Sequence, residues 1–358
     1  QEVVEDAAGP QVLLVSARSA EALAAARGRL ADRLAAPDAP TLADTAFTLQ
    51  VGRRAFPYRT AIVADDRATA IRALREAPSP GAASPADPPD IAFMFPGQGS
   101  QHPGMARGLY EGVASVRADI DRCAAFLERH EGIDLRRVLY DMPPDAAAEA
   151  LRSTAMAQPA LFSVSYALAR LWQTLGLAPR ATIGHSVGEF VSAHLAGVLT
   201  LEDALRVVAA RGRLMNDLPG GAMLAVRLPE ADLAPRLPDG VAVAAVNGPA
   251  LSVASGPYEG IAALEAALAA DSVMARRLHT SHAFHSPMME PMVDRLHDLL
   301  RTVELRPPCA PYISCVTGTW ITAELATSAE YWARHARETV RFHEGVLTLV
   351  GETPAILI

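Results

Sequence analysis

The chain contains no lysine: its 32 basic residues other than histidine are all arginine, set against 40 aspartates and glutamates, for a net charge of −8. With cations outnumbered and nowhere clustered, the balance argues against nucleic acid as a partner, because neutralising phosphates needs clustered positive charge. Missing lysine beside abundant alanine looks like a coding bias, so each arginine counts as functional only on evidence of its own. Cysteine is scarce too. Cys123, Cys309 and Cys315 are odd in number and far apart, which fits neither a disulfide framework nor a CxxC pair and reads as reduced thiols. Every apolar stretch meets charge or proline well short of the roughly 20 residues of a membrane span. The opening QEVVEDAAGP has neither the basic start nor the apolar run of a secretory leader. The expectation is a cytoplasmic protein that binds neither membrane nor nucleic acid.

What is present is ample core material. At 358 residues, 50% of them apolar and 20% charged, the chain reads as a globular sequence of more than one folded unit. An apolar run at Val12–Val15 precedes an alanine-rich helical stretch that Ser16 or Ser19 can cap. A second run, Thr60–Val63, leads into the helical DDRATAIRALREA, with Asp65 as its cap. That small α/β unit ends at the proline-rich APSPGAASPADPPD, residues 77–90, which reads as a linker. From Ile91 short apolar runs alternate with long amphipathic ones: IAFMF, a helix near 108–130, PALFSVSYALARLWQTLG, ATIG and VGEFVSAHLAG. Such alternation predicts a parallel sheet with helices on both faces. Residues 221–280 instead read β-α-β-β-α-β, through MLAVRL, PEADLAPRL, VAVAAV, LSVAS, YEGIAALEAALAA and SVMARRL, the order of a ferredoxin-like unit.

Within ATIGHSVGEF, Ala181–Phe190, an apolar strand runs into a turn with Ser186 at its apex and a helix from near Val187. Gly184 and Gly188 leave room for the strained backbone of a nucleophile elbow, and the helix-start amides can stabilise developing negative charge. The motif alone also fits a serine that only caps a helix. A hydroxyl becomes a nucleophile when a base takes its proton, and the densest histidine cluster is LHTSHAFHSPMMEP, with His279, His282 and His285. These are either polar loop residues or a general base with structural neighbours. The run lies in no clear helix and has Glu290 as its only close carboxylate, so no metal is expected there. FMFPGQGSQ, Phe93–Gln101, reads as an ordinary turn after a strand or as a loop whose amides supply a second oxyanion donor. Arg211, in the helical AARGRLMN, presents a planar fork suited to a carboxylate, a signature it shares with solvated surface arginines.

In order along the chain, FMFPGQGSQ, AQPALF, GHSVGE, RGRLMN, AAVNGP, SHAFHSPMMEPM and YWARHARETVRF resemble the acyltransferase domains of modular type I polyketide synthases. More distantly, they resemble the malonyl-CoA:acyl carrier protein transacylases of fatty acid synthesis. VLLVSARS and TLQVGRRAF resemble the linker domain that joins a ketosynthase to such an acyltransferase. The implied fold is α/β: a hydrolase-like large subdomain with a parallel sheet over 91–214 and 283–358, and a ferredoxin-like small subdomain inserted over 215–282. A small α/β linker domain over 1–90 would precede them.

Carried onto the matching positions, the resemblance implies Ser186 as nucleophile and His285 as its base, a dyad whose histidine is oriented by a backbone carbonyl in Val340–Phe342. It implies an oxyanion hole from the amides of Gln98 and Val187 and a carboxylate clamp in Arg211. Phe284, His282, Gln158, Met215 and Asn247 would contact substrate. No cofactor is expected in the domain; malonyl-CoA is the implied substrate, and the acceptor is the phosphopantetheine thiol of an acyl carrier protein. A ketosynthase would lie upstream in the full-length protein, and because the family's dimer contacts lie chiefly there, this chain is expected to be monomeric. The resemblance associates HAFH, and Val187 after the serine, with a malonyl extender unit, since Phe284 would fill the space an α-methyl needs. Met156 in STAMAQ, where an aromatic is commoner, fits malonyl less well.

Other readings stand beside this one. An α/β-hydrolase esterase or thioesterase shares the elbow but needs a triad acid, and several acids lie between Ser186 and His285. A proofreading acyl hydrolase on the same scaffold, or a methylmalonyl-accepting transferase, would use the same residues. A docking platform without catalysis is disfavoured by the presence of both Ser186 and His285.

Overall fold

The computed structural model describes residues 9–78, 83–84, 89–351 and 355–358; most of the proline-rich stretch 77–90 lies outside them. The chain divides into two compact units, Gln1–Pro89 and Asp90–Ile358.

In the first unit, β1 (Gln11–Ala17) and β2 (Tyr58–Ala64) pair antiparallel, with Gln11 opposite Ala64. Alternate residues Leu13, Val15 and Ala17 point into a core with Leu23, Leu34, Leu42, Ile62 and Leu74, the period of two expected of a half-buried strand. The alanine-rich helix Ala20–Ala35 is capped by Ser19, whose hydroxyl accepts from the Ala22 amide at 3.2 Å. The cap of the helix Arg67–Glu76 is Asp66 and not Asp65: Asp66 has the extended backbone of a cap and accepts from the Thr69 amide at 2.7 Å. A further helix, Leu42–Val51, starts at Thr41, which accepts from the Asp44 amide at 3.0 Å.

The second unit carries β3 (Asp90–Phe95), β4 (Ala181–Gly184), β5 (Ala222–Val226), β6 (Ala242–Gly248), β7 (Leu251–Gly256), β8 (Ala275–Arg277), β9 (Tyr312–Ile313) and β10 (Ala355–Leu357). One sheet has the order β10-β3-β4-β9, all parallel, and the other the order β6-β7-β5-β8, all antiparallel. The second order is the ferredoxin-like topology read from residues 221–280. Phe95 lies opposite Gly184, so the loops leaving β3 and β4, FPGQG and HSV, emerge side by side at the carboxyl end of the parallel sheet, where open α/β sheets place their ligands.

Two helical expectations are modified by local chemistry. The helix expected near 108–130 is two, Arg107–Gly112 and Ala114–Glu131, broken at an extended Val113. PEADLAPRL forms only Glu230–Leu233 and a 3₁₀ turn, Ala234–Arg236, because Pro235 has no amide to continue the ladder. The large core joins Ile120, Leu127, Phe162, Phe190, Leu205, Val208, Leu296 and Trp332. Burying each such side chain contributes about 1.5–3 kcal/mol, so the helices Thr154–Thr174 and Leu201–Asn216 are held by apolar faces and are free to deliver polar residues elsewhere. No helix among the described residues is long and apolar enough to cross a membrane.

Candidate active site

The turn between β4 and the helix Gly188–Leu195 is as tight as its glycines require. A Cβ at Gly184 would collide with the Glu189 amide nitrogen, and one at Gly188 with the Phe95 carbonyl oxygen. Between them Ser186 takes a left-handed backbone, φ 51°, that turns its side chain out of the sheet.

His285 meets it from a segment between β8 and the 3₁₀ turn Pro287–Met289, also with a left-handed backbone, φ 55°. Ser186 Oγ is 2.7 Å from His285 Nε2, and His285 Nδ1 is 2.8 Å from the Glu338 carbonyl oxygen. A carbonyl only accepts, so the proton of the neutral ring sits on Nδ1 and Nε2 is the acceptor for the Ser186 hydroxyl. Burial, then the neighbouring Arg211 charge and His335, hold the His285 pKa well below the ordinary histidine value. The imidazole is therefore neutral near pH 7 and able to take a proton. Among the described residues no carboxylate bonds to Nδ1, the position where the esterase reading needs its triad acid. The orienting carbonyl is that of Glu338, upstream of the expected segment Val340–Phe342.

Arg211 comes from the helix Leu201–Asn216 and is almost wholly buried, 2% exposed. It donates to Ser186 Oγ at 3.1 Å and to Gln158 Oε1 at 2.6 Å; its Nε has no partner, and among the described residues no carboxylate pairs with it. Desolvation pushes its pKa down to about 10. Gln158 is fixed in turn, donating to Thr154 Oγ1 at 2.8 Å and to Met215 Sδ at 3.1 Å, while Thr154 donates to Gln98 Oε1 at 2.8 Å. A polar chain thus runs from the loop after β3 to the serine.

These groups line a cavity of about 460 Å³ that holds Gln98, Gln158, Ser186, Val187, Arg211, Met215, Asn247, Phe284 and His285. Its remaining wall is largely apolar, with Met223, Ala245 and Val253 supplied by the antiparallel sheet. His282 is not in the lining. Its Nε2 contacts the Leu218 carbonyl at 3.0 Å, its Nδ1 contacts Ser281 Oγ at 2.7 Å, and its ring lies against Phe284 with centroids 6.1 Å apart. His282 therefore packs behind Phe284. His279 is exposed. His185, beside the serine, reaches Asn247 Oδ1 through Nε2 at 3.0 Å, which ties the turn to β6.

Sequence reasoning missed a buried polar cluster behind the dyad, formed by Glu189, Ser314, Cys315, Tyr331 and His335. Glu189, Cys315 and His335 bring potential ligand atoms within 4.8 Å of one another, but these atoms already engage one another and the Cys315 amide. Its sequence signal is weak: polar residues within the apolar runs GHSVGEFV and YWARH. Chemically, the site can deprotonate a hydroxyl as it attacks and can hold an anion against a desolvated guanidinium.

Residues 92–358 match the family model described as acyl transferase domain, and residues 11–74 match the one described as CurL-like, PKS C-terminal. The polyketide synthase GfsA of Streptomyces halstedii is 40% identical over 369 residues, which cover 97% of this chain. The chain spans only 5% of that protein's length. Among solved structures, the acyl transferase domain of SpnD in complex with 2-(pent-4-yn-1-yl)malonyl matches with a TM-score of 0.91 at 39% identity, over 99% of this chain and 85% of that one. The malonyl-CoA:ACP transacylase of Synechocystis sp. PCC 6803 matches with a TM-score of 0.65 at 26% identity, over 74% of this chain and 87% of that one. With this match over most of its length and this fold, the chain belongs to the acyl transferase domains of type I polyketide synthases and is an acyltransferase.

Proposed function

We propose that this acyltransferase loads a malonyl extender unit from malonyl-CoA onto the phosphopantetheine thiol of an acyl carrier protein, in step with an upstream ketosynthase. The observation that carries the reading is Arg211: a buried cation with no carboxylate partner among the described residues, 3.1 Å from the Ser186 hydroxyl. A desolvated charge of this kind is destabilising until an anion meets it, and the free carboxylate of malonyl is an anion beside the thioester to be attacked.

In the first half-reaction Ser186 Oγ attacks the thioester carbonyl while His285 Nε2 takes its proton. The carbonyl π electrons move to oxygen, and the oxyanion is held by the backbone amides of Gln98 and Val187. Collapse breaks the carbon–sulfur bond, CoA leaves with the proton returned by His285, and malonyl-Ser186 remains. In the second half-reaction the carrier thiol gives its proton to His285 and attacks the ester, and Ser186 leaves with that proton. Glu338 keeps the ring in the required tautomer throughout, and Gln158 holds the Arg211 fork.

Phe284, a wall of the cavity held from behind by His282, supports malonyl over methylmalonyl. One methyl in a pocket is discriminated by about 1–3 kcal/mol, so the selectivity is a preference of degree. The test is intact mass after brief mixing with malonyl-CoA, followed by addition of a phosphopantetheinylated carrier protein. A malonyl adduct absent from Ser186→Ala and passed to the carrier supports the reading. An adduct lost to water as fast without carrier as with it points to the hydrolase, and no adduct on folded protein refutes both.

A further inference from the structure

We infer that Glu189 is a positioning residue for the dyad: its buried carboxylate ties the turn that carries Ser186 to the stretch of backbone that orients His285. The inference deepens the transferase reading and rests on it. Glu189 lies in the first turn of the helix Gly188–Leu195, and its amide donates to the Ser186 carbonyl at 2.9 Å. Its side chain is fully buried and does not line the cavity, so it acts through its neighbours and not on substrate. Oε2 accepts from the Cys315 amide at 2.6 Å, just past β9, and His335 Nε2 is 3.3 Å from the same oxygen. Oε1 accepts from the Tyr331 hydroxyl at 2.5 Å, on the helix Ala329–Arg334.

That helix leads directly into both anchors of the base. The His285 amide donates to the Ala336 carbonyl at 3.2 Å, and Glu338 supplies the carbonyl at Nδ1. One carboxylate therefore joins the nucleophile's turn to residues 331–338, and with them to the imidazole. The contacts also explain why the residue is an acid and not an amide. Donors meet both oxygens, whereas a carboxamide has one acceptor oxygen: with that oxygen kept on the Cys315 N–H, its NH₂ faces Tyr331, whose hydroxyl must turn from donor to acceptor and give its proton to Ser314 Oγ instead.

Single-turnover acylation of Ser186, read by intact mass across a range of malonyl-CoA concentrations, tests this with wild type, Glu189→Gln and Tyr331→Phe side by side. For Glu189→Gln the maximal acylation rate should fall about 100-fold, the scale of an ångström's misplacement of reacting groups. The half-saturating malonyl-CoA concentration should stay within about 2-fold of wild type, because binding is not what is lost. Tyr331→Phe removes only the Oε1 donor; its rate should fall in the same direction by a smaller factor, and it carries the test if Glu189→Gln does not fold. A folded variant that acylates at the wild-type rate, or that loses affinity and keeps its maximal rate, overturns the inference. A wild type that is never acylated brings down the transferase reading first, and this inference with it.

Discussion

Ser186 and His285, 99 residues apart in sequence, meet at 2.7 Å with both backbones in the left-handed region, at φ 51° and 55°. Neither is glycine, and that region costs an L-residue about 1–2 kcal/mol. At the site this strain falls on the two residues in direct contact, and the packing of Glu189, Phe95 and the 331–338 stretch sustains it.

Relief of that strain is measurable. Ser186→Ala keeps the Cβ that makes φ 51° unfavourable, whereas Ser186→Gly removes it. After roughly 0.4–1 kcal/mol is deducted for glycine's larger unfolded-state entropy, Ser186→Gly should be the more stable of the two by about 0.5–1 kcal/mol. Both should be inert to malonyl-CoA. Thermal melts decide the matter: an alanine variant that melts at the same temperature or higher removes the argument for a strained elbow.

The depressed pKa of His285 sets the direction of the pH dependence. An ordinary histidine would be half protonated near pH 6.5 and the base half lost. Here the folded-state pKa lies lower, so the neutral imidazole persists through pH 6.5, and the acylation rate should stay flat there and decline only in more acid solution. Rapid-quench acylation between about pH 5.5 and 8 checks this. A rate already halved at pH 6.5 would show that the desolvated, Arg211-facing environment does not govern the base.

As the carboxylate clamp proposed above, Arg211 would exchange stability for selectivity. Breaking a buried, hydrogen-bonded charge pair typically costs about 3–5 kcal/mol, so Arg211→Met should lower kcat/KM for malonyl-CoA by about 10²–10⁴-fold. Its effect on acetyl-CoA, which has no free carboxylate, should be far smaller. The unliganded variant should also melt at or above the wild-type temperature, since an uncompensated buried cation is replaced by an apolar chain of similar length. Equal losses for both thioesters would place Arg211 in the support of Ser186 and not in contact with the carboxylate.

The parts of this molecule legible in its sequence are those with a local physical cause. Gly184 and Gly188 announce the turn because no side chain fits there, and the βαββαβ order announces the antiparallel sheet because alternation and turn residues are local. What sequence misses depends on distance or on the backbone. The Glu338 carbonyl carries no signal, since every residue has one. Glu189 and Tyr331 acquire their relation only when β4 and β9 bring them together. Asp65 and Asp66 are chemically the same, and only the backbone angle decides which one caps. His282 and His285 share a motif, but the fold turns one into the cavity and the other behind Phe284.

That last division gives a prediction about extender choice. Phe284 is 6% exposed, lines the cavity beside His285, and is backed by the ring of His282, so it cannot easily retreat from a larger acyl group. Phe284→Ser opens the space, and the ratio of kcat/KM for methylmalonyl-CoA to that for malonyl-CoA should rise by about 10–200-fold, the range one methyl group commands in a pocket. His282→Ala leaves Phe284 in place but takes away its support and the contact to the Leu218 carbonyl, so the same ratio should move in the same direction by less. Competition between the two thioesters, with the adducts resolved by mass, measures both variants at once. An unchanged ratio in Phe284→Ser would assign selectivity to the cavity's other walls, with Met215, Met223 and Val253 next in order because they face the same space from the helix Leu201–Asn216 and the antiparallel sheet.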